Sequence, residues 1–363
     1  MKLQVTQENL SKALGHVSRV ANSRGTLPIL SNVLLKTVDN RLSISATNLD
    51  IAITHYIGSK VSQEGAITVP ARLMQDFVSS LPSGVIDLKL EDNKLHISTE
   101  KYQSVINGVS AEDFPVMPAI ADGQDWTIPG KTLKTGLQQV VLAASSDEAR
   151  PVLTGVYFHS HEGNLFIVAT DSYRLAEKKL NTTKQEINLL VPATALQDLL
   201  RILGDEESDV QVTNDDQQIL FKVGDVELVT RLIEGSYPDY RKLIPSNFVS
   251  SASLKRSDFV NITKVSSLFA RESAGSVTIN LEEGPKQASI RSIASQIGEN
   301  TASASAEVAG DGIITLNSRY VLDALNALNG DNAMISFNGK LEACLIRDPS
   351  VKDYTHVIMP LKS

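Results

Sequence analysis

The stretch IVATDSYRLA at 167–176 joins a buried apolar run to side chains that could do chemistry. Its first residues are typical of a core strand. Thr170, Asp171 and Ser172 favour a turn, because short polar side chains hydrogen-bond to nearby backbone groups. Asp171 could act as a catalytic acid, but the sequence gives no reason to place a second carboxylate or a base beside it. A strand that ends in a turn is the simpler interpretation, and a hydrolase that uses Asp171 is the alternative.

The other reactive residue types also argue against catalysis. The six histidines show no metal-binding spacing, and His159 and His161 share one face of a predicted strand, as solvated residues often do. The single cysteine, Cys344, alternates with Leu345 and is expected in the core. No Walker loop, nucleotide-binding glycine fingerprint or nucleophile elbow occurs. The sequence predicts a protein that is not an enzyme and has no metal or other cofactor.

Composition limits the class of protein. A chain of 363 residues is too long for one ordinary core and predicts two or three domains. The N-terminus lacks a signal-like apolar core, and no apolar run approaches the ~18 residues of a membrane span, so a cytoplasmic location is expected. The net charge of -8 argues against general nucleic-acid binding, unless the charge is unevenly distributed.

The elements that position these residues come from an internal repeat. Residues 69–81, 191–203 and 316–328 align without gaps, at offsets of 122 and 125 residues. Each segment starts as the end of a strand and continues as an apolar helical stripe. An aspartate recurs at one helical position, which predicts a repeated structural role. The three aspartates are Asp76, Asp198 and Asp323.

Flanking elements repeat with similar offsets. An earlier helix in each copy is predicted from an apolar stripe, which in the third copy is Phe259, Ile262 and Val265. Pairs of alternating strands follow, including one over 341–345. Short Asn-, Asp- and Gly-rich segments between the strands predict hairpin turns. These turns are expected at 39–40, 92–93, 162–164, 214–216, 283–285 and 338–339.

The repeat predicts an α+β fold of three domains, each with two helices packed on antiparallel sheets. The predicted domains are 1–120, 121–246 and 247–363. The predicted first helices carry net charges of +1, +2 and +2, and the second helices are neutral. One interpretation is a shared positive helical surface that faces a polyanion. The alternative is that these are ordinary solvated lysines.

Four motifs in this order resemble the bacterial sliding-clamp family, the beta subunits of DNA polymerase III. They are TLPIL at 26–30, VATDSYRLA at 168–176, YPDYR at 237–241 and VIMPL at 357–361. The resemblance covers the whole chain. It implies a DNA clamp fold in which a head-to-tail homodimer closes a six-domain ring around double-stranded DNA, without sequence specificity. It further implies a processivity factor required for replication.

The resemblance also implies a peptide-binding cleft between the second and third domains. There the family binds short, mostly apolar peptides of the DNA polymerase III alpha subunit, the clamp loader, other polymerases and repair proteins. Arg174 and Lys242 would hold polar peptide groups at the rim. Tyr173 replaces a frequent histidine, and Lys242 replaces a frequent arginine. The matching residues are Leu153, Thr170, Ser172, Tyr173, Arg174, Leu175, Pro238, Lys242, Leu243, Val357, Ile358, Met359, Pro360 and Leu361.

Two further residue sets follow from the resemblance. Family contacts to DNA phosphates fall at or next to Arg24, Arg72 and Arg150, and such contacts carry no sequence information. The dimer would form where an edge strand near Ile106 meets Leu268 and Phe269 of the other chain. A triplicated scaffold that binds only peptides is the remaining alternative.

Overall fold

A computed structural model describes residues 1–21, 27–115, 120, 122–204, 208–296 and 298–361. The chain divides into two compact units. Unit 1 comprises Met1–Lys131 and Thr194–Leu232, and unit 2 comprises Thr132–Ala193 and Ile233–Ser363. Within the described ranges, no helix is long and apolar enough to cross a membrane.

The described residues form six α-helices, two for each copy of the repeat. Most of each apolar stripe is buried as predicted, but Phe77 in the first copy is half-buried and Val265 in the third copy is 45% exposed. Thr263 and Ser266 are buried instead, because the Thr263 hydroxyl donates to the carbonyl of Phe259 and the Ser266 hydroxyl to Asn300 Oδ1. The helices are α1 (Gln7–Val17), α2 (Ala71–Ser80), α3 (Gly130–Val140), α4 (Ala193–Ile202), α5 (Arg256–Phe269) and α6 (Ser318–Ala327).

The strands alternate with these helices along the chain. The first thirteen are β1 (Lys2–Thr6), β2 (Asn32–Val38), β3 (Arg41–Thr47), β4 (Ile51–Gly58), β5 (Lys60–Gln63), β6 (Ala66–Pro70), β7 (Val85–Glu91), β8 (Lys94–Ser98), β9 (Gln103–Asn107), β10 (Gln124–Pro129), β11 (Gly155–His161), β12 (Asn164–Thr170) and β13 (Arg174–Thr182). The others are β14 (Asn188–Pro192), β15 (Asp209–Asn214), β16 (Gln218–Val223), β17 (Val226–Arg231), β18 (Ser250–Lys255), β19 (Ser276–Glu282), β20 (Gln287–Ala294), β21 (Gly298–Ser305), β22 (Glu307–Ala309), β23 (Gly312–Asn317), β24 (Asn332–Phe337), β25 (Cys344–Arg347) and β26 (Tyr354–Ile358).

Each unit contains two antiparallel sheets. Unit 1 holds sheet I, ordered β5-β1-β7-β8-β9, and sheet II, ordered β10-β15-β16-β17-β4-β3-β2-β6. Unit 2 holds sheet III, ordered β14-β11-β12-β13-β26-β25-β24-β18-β22, and sheet IV, ordered β21-β20-β19-β23. Helix α1 packs on β3 and β4 of sheet II, and α5 packs on β20 and β21 of sheet IV.

Two sheets join strands of neighbouring copies. In sheet II the first junction pairs β4 with β17, and in sheet III the second junction pairs β13 with β26. The compact units therefore cross the limits of the repeat, because a continuous sheet holds strands from two copies together. The predicted domain limits after residues 120 and 246 stay a prediction.

The predicted turns can be compared with the strand limits. Asp39-Asn40 and Asp92-Asn93 join hairpin strands with positive φ at every residue, as type I′ turns require. The prediction of a strand over 341–345 is wrong, because β25 begins only at Cys344 and Leu341 is 69% exposed. Asn338 does not form the predicted hairpin turn. Its side chain accepts a hydrogen bond from the amide of Val249 and donates one to the carbonyl of Asn247.

Candidate functional site

The turn that follows β12 is closed by its own side chains. The Thr170 hydroxyl donates to the carbonyl of Arg174 at 2.6 Å, and Asp171 Oδ1 accepts from the amides of Tyr173 and Arg174 at 2.9 Å. Ser172 has a φ of 76°, which the turn stabilises. The turn leaves the Tyr173 side chain 59% exposed. Asp171 therefore has the structural role that the simpler interpretation of the sequence gives it.

Arg174 is buried on the helix-facing side of sheet III. Its guanidinium pairs with Asp171 at 3.2 Å and with Asp323 of α6 at 2.5 Å, and it lies 4.4 Å from the ring centroid of Tyr320. Because side chains alternate along a strand, Arg174 points away from the face that carries Leu175. In the free chain the Arg174 guanidinium is therefore occupied by partners within unit 2, and its expected place at the rim of a peptide cleft stays a prediction.

The recurring aspartates share a type of partner, but their surroundings differ. Each forms an ion pair with an arginine, although the arginine comes from a different place in the chain. The pairs are Asp76 with Arg72 at 4.0 Å, Asp198 with Arg201 at 2.5 Å and Asp323 with Arg174 at 2.5 Å. Only in the third copy does the aspartate reach a strand residue of the motif at 168–176.

An apolar surface covers the outer side of sheet III at the second junction. Leu175 and Val357 lie directly opposite each other on β13 and β26 and pack with Val168 and Tyr240. We name this cluster, with the exposed side chains at its border, the outer apolar surface. The border side chains Tyr173, Leu243 and Met359 are 59%, 58% and 43% exposed. The amide of Met359 donates to the carbonyl of Tyr173 at 2.8 Å, so the turn after β12 and the end of β26 are held together.

The remaining predicted peptide residues differ in position. Ile358 is fully buried and lies opposite Arg174 on the helix-facing side of sheet III, and its contact with a peptide stays a prediction. Leu153 is buried in a 3-10 turn, and the Lys242 ammonium pairs with Asp239 at 2.6 Å. In sequence, Thr170 and Ser172 are close to Tyr173, and Pro238 is close to Tyr240, both of which belong to the outer apolar surface. Pro360 and Leu361 are half-buried, and the amide of Leu361 donates to the carbonyl of Thr315.

The predicted DNA contacts have different surroundings. Arg24 lies outside the described residues. Arg72 on α2 is almost fully exposed, and its pair with Asp76 is long. Arg150 donates to the Ser172 hydroxyl at 3.1 Å and lies 3.6 Å from Asp147, so it is tied to the turn after β12.

The predicted dimer residues lie at two places. Ile106 is on β9, the edge strand of sheet I, but its side chain is buried in unit 1, while Val105 is 53% exposed. Leu268 is 51% exposed and Phe269 is half-buried at the end of α5.

The helices carry less positive charge than the sequence predicts. Helix α1 ends at Val17, so Arg19 lies outside it and Lys12 is balanced by Glu8. Lys255 likewise precedes α5. Lys12, Lys131 and Lys264 are nevertheless exposed, so each first helix presents a lysine to solvent.

Histidines are more buried than the sequence suggests. His159 is 7% exposed, which corrects its interpretation as a solvated residue, and burial lowers its pKa to about 4. Cys344 is buried as predicted, and burial raises its pKa. In unit 1, the rings of His16 and His55 stack with centroids 5.1 Å apart. Among the described residues, no cluster of three or more His, Cys, Asp or Glu could hold a metal ion.

The stacked histidines predict acid sensitivity. Burial, followed by His16, Lys12 and Arg41, lowers the pKa of His55 to about 4, while Asp225 opposes this shift. The unfolded state binds more protons than the folded state between about pH 6.5 and 4, so stability falls as the pH falls through that window. We expect His55→Phe to keep the stacking and to flatten this pH dependence in urea unfolding. His96→Phe, at a half-exposed position, is the control. An unchanged slope in His55→Phe would contradict the assignment.

Sequence reasoning missed Tyr240 of the outer apolar surface and its partner Glu177. Tyr240 is buried, and its hydroxyl donates to the carboxylate of Glu177 on β13. Burial, followed by Glu177, raises the pKa of Tyr240. The motif YPDYR contains Tyr240, but its pairing with Glu177, 63 residues earlier, depends on strand register that no local pattern gives.

Comparisons with known proteins point to one family. Residues 1–118, 127–239 and 241–362 match family models for the N-terminal, central and C-terminal domains of the DNA polymerase III beta subunit. The beta sliding clamp of Synechocystis sp. is 32% identical over 100% of this chain and 99% of its own length. That of Bacillus subtilis is 30% identical over the full length of both chains.

Solved structures agree with the sequence matches. The crystal structure of the Bacillus subtilis DNA polymerase sliding clamp has a TM-score of 0.94 at 29% identity and covers 100% of this chain and 99% of that chain. A Bartonella birtlesii sliding clamp bound to griselimycin also has a TM-score of 0.94, at 28% identity, with both chains fully covered.

Proposed function

This chain belongs to the DNA polymerase III beta-subunit family of bacterial sliding clamps, which are non-catalytic processivity subunits of replication. On that basis we propose the following mechanism for this chain. Two chains pair head to tail into a closed ring around double-stranded DNA in the cytoplasm. The ring tethers DNA polymerase III and other partners through peptides that bind the outer apolar surface. The observation that supports a closed ring is the pair of strand junctions within the chain, β4 with β17 and β13 with β26.

Both junctions use equivalent strands of the repeat. The first pairs β4 with β17, and the second pairs β13 with β26, in the same antiparallel arrangement. The equivalent strands that remain are β21 and β9, which are edge strands of sheets IV and I. Unpaired edges are aggregation hazards that proteins usually cover. A third junction, between β21 of one chain and β9 of another, covers both edges and closes the ring.

The two observed junctions also predict the register of the third. At the first junction Ile53 is opposite Leu228 and Thr54 is opposite Glu227. Adding both repeat offsets, 122 and 125, to residues 53 and 54 gives Asn300 and Thr301 of one chain. Subtracting 122 from residues 228 and 227 gives Ile106 and Val105 of the other chain, so the expected pairs are Asn300 opposite Ile106 and Thr301 opposite Val105. In this register the Asn300 and Ile106 side chains meet on the buried face of the joined sheet, and Thr301 and Val105 meet on its exposed face. Leu268 and Phe269 would border this junction.

A ring holds DNA by topology, so its contacts to phosphates can be weak and exchange quickly as the ring slides. Exposed lysines on the three first helices, Lys12, Lys131 and Lys264, suit such contacts. Arg24, Arg72 and Arg150 are proposed to add phosphate contacts. The domains of the ring would follow the predicted limits after residues 120 and 246.

Peptide docking is supported by the outer apolar surface. Three exposed apolar side chains border a buried apolar floor of Leu175 and Val357, an arrangement typical of pockets that take aliphatic or aromatic side chains. The Met359 thioether adapts to different partners. Griselimycin, which is bound in the Bartonella birtlesii clamp, is proposed to bind the same surface in this chain.

One experiment tests the ring. The variant Val105→Cys with Thr301→Cys is loaded on nicked circular DNA by a clamp loader with ATP and then oxidised. We expect disulfide-linked dimers that stay on circular DNA through a denaturing wash and leave it once the DNA is cut, because only a covalently closed ring is topologically trapped.

Val105→Cys with Ser303→Cys is the matched control, since Ser303 lies two residues out of register. A monomer that never cross-links, or a protein that stays bound after the DNA is linearised, would refute encirclement. The peptide-only scaffold predicts no retention on either form of DNA. A hydrolase predicts an activity that Asp171→Asn abolishes, whereas a clamp has no turnover to lose.

A further inference from the structure

The segment Tyr237–Ile244 is fastened to the outer side of sheet III by strand side chains. The Tyr240 hydroxyl donates to Glu177, and the guanidinium of Arg241 lies 3.6 Å from the same carboxylate. The Arg241 guanidinium is also 4.6 Å from the ring centroid of Phe166 on β12. This segment carries Pro238 and Leu243, so the contacts of Tyr240 and Arg241 with the sheet fix the position of these two residues at the border of the outer apolar surface.

His159 on β11 completes the network. Its Nε2 lies 2.7 Å from the Tyr240 hydroxyl oxygen. A carboxylate only accepts hydrogen bonds, so the single Tyr240 proton goes to Glu177. His159 Nε2 must then carry a proton and donate to Tyr240. The ring of His159 also stacks on Phe166, with centroids 5.7 Å apart. Each polar group thus has one definite role.

The first junction provides an internal comparison. On β2, β3 and β4 of sheet II, Lys36, Ser43 and Thr54 occupy the positions of His159, Phe166 and Glu177, at one constant offset of 123 residues. The registers agree: Lys36 is opposite Ser43 as His159 is opposite Phe166, and Ser45 is opposite Thr54 as Val168 is opposite Glu177.

These differences between the two copies give the outer side of sheet II a different surface. Thr54 bonds to Ser45 across the strands at 2.9 Å. The face forms a groove of about 650 Å³, with Leu34, Ala52 and Val229 among its lining residues. At the second junction, the corresponding strands carry a buried aromatic and apolar cluster. Two equivalent sheet junctions of one chain therefore present different surfaces.

We propose that His159, Phe166 and Glu177 are positioning residues that make the second junction, and not the first, the peptide-docking surface. They act through Tyr240 and Arg241, which hold Pro238 and Leu243 at the border. The inference rests on the proposed function of the outer apolar surface and adds which residues confer it.

The test moves first-junction residues to the second junction in the full chain. A fluorescent apolar peptide from the DNA polymerase III alpha subunit of the same organism is the probe. Glu177→Thr and His159→Lys are each expected to weaken its binding about tenfold, the loss of one hydrogen bond to a charged or buried group. Glu177→Gln keeps an accepting oxygen and is expected to stay within about twofold.

Hydrogen exchange separates positioning from general damage. The amide of Ile244, which bonds to the carbonyl of Arg241, should exchange faster in Glu177→Thr, whereas the amides of β12 and β13 should not. Thr54→Val at the first junction is the matched control and should leave binding unchanged. If Glu177→Thr does not fold, Tyr240→Phe decides, because it removes only the hydroxyl and should weaken binding in the same direction.

The outcomes distinguish the two proposals. If Leu243→Ala with Met359→Ala weakens peptide binding but Glu177→Thr, His159→Lys and Tyr240→Phe do not, the positioning role is wrong and the docking surface stands. If the Leu243 and Met359 variant binds as tightly as the natural protein, the docking surface itself is misplaced.

Discussion

Replacing Leu243 and Met359 together by alanine is expected to weaken the binding of the alpha-subunit peptide by about 30- to 100-fold. Both side chains are roughly half-exposed in the free chain, and a docked apolar peptide would bury them. Burying the exposed part of each is worth about 1–1.4 kcal/mol, and every 1.4 kcal/mol corresponds to about tenfold in affinity. Fluorescence anisotropy with the labelled peptide measures this loss.

The same variant should keep its fold. Truncating exposed side chains usually changes the free energy of unfolding by less than about 0.5 kcal/mol. Val85→Ala removes a similarly exposed aliphatic side chain from β7 and serves as the control. Equal peptide affinities in the variant, the control and the natural protein would move the docking site elsewhere.

Arg174→Ala is expected to lower the free energy of unfolding by about 3 kcal/mol, because it removes a buried side chain and leaves two partly buried carboxylates without their partner. Arg174 is 8% exposed, and it satisfies Asp171 and Asp323 while stacking on Tyr320. Since Asp171 caps the turn after β12, the loss should also disorder the Tyr173 border of the outer apolar surface. Urea unfolding at neutral pH measures the change in free energy.

The repeat supplies a matched control for Arg174. Asp76 occupies the helical position of Asp323, but its arginine, Arg72, is 96% exposed in its side chain and 4.0 Å away. Arg72→Ala should therefore cost less than about 0.5 kcal/mol. Comparable losses in the two variants would mean that the pairs with Arg174 add no more stability than a surface pair.

Much of the architecture could be predicted from periodicity. The helical stripes, the hairpin turns at 39–40 and 92–93, and the three copies follow from local patterns of apolar residues and turn residues. Where the third copy departs from the pattern, the reason is a long-range contact. Ser266 is buried because Asn300 Oδ1 accepts a hydrogen bond from its hydroxyl, and Asn338 does not form a hairpin turn because its side chain hydrogen-bonds to the backbone of Asn247 and Val249.

The site could be predicted only in part. The motifs at 168–176 and 357–361 identify the turn and the strand that border the outer apolar surface. They do not say which face each side chain takes, so they do not separate Arg174 and Ile358 on the helix-facing side from Leu175 and Val357 on the outer side. A shift of one residue in strand position reverses the face, so register decides the assignment.

By itself, the sequence determined the triplicated α+β organisation, because repeats, helical stripes and turn residues are local properties that survive without knowledge of contacts. The sliding-clamp family followed from the resemblance of four motifs and from the family matches. Only the tertiary structure decided that β4 pairs with β17 and β13 with β26, and that β9 and β21 are the outermost strands of their sheets within the described residues. It also decided which face carries Leu175 and Val357, and that Glu177 meets Tyr240. These pairings join residues far apart in the chain, and their energy depends on register and burial, which no local window contains.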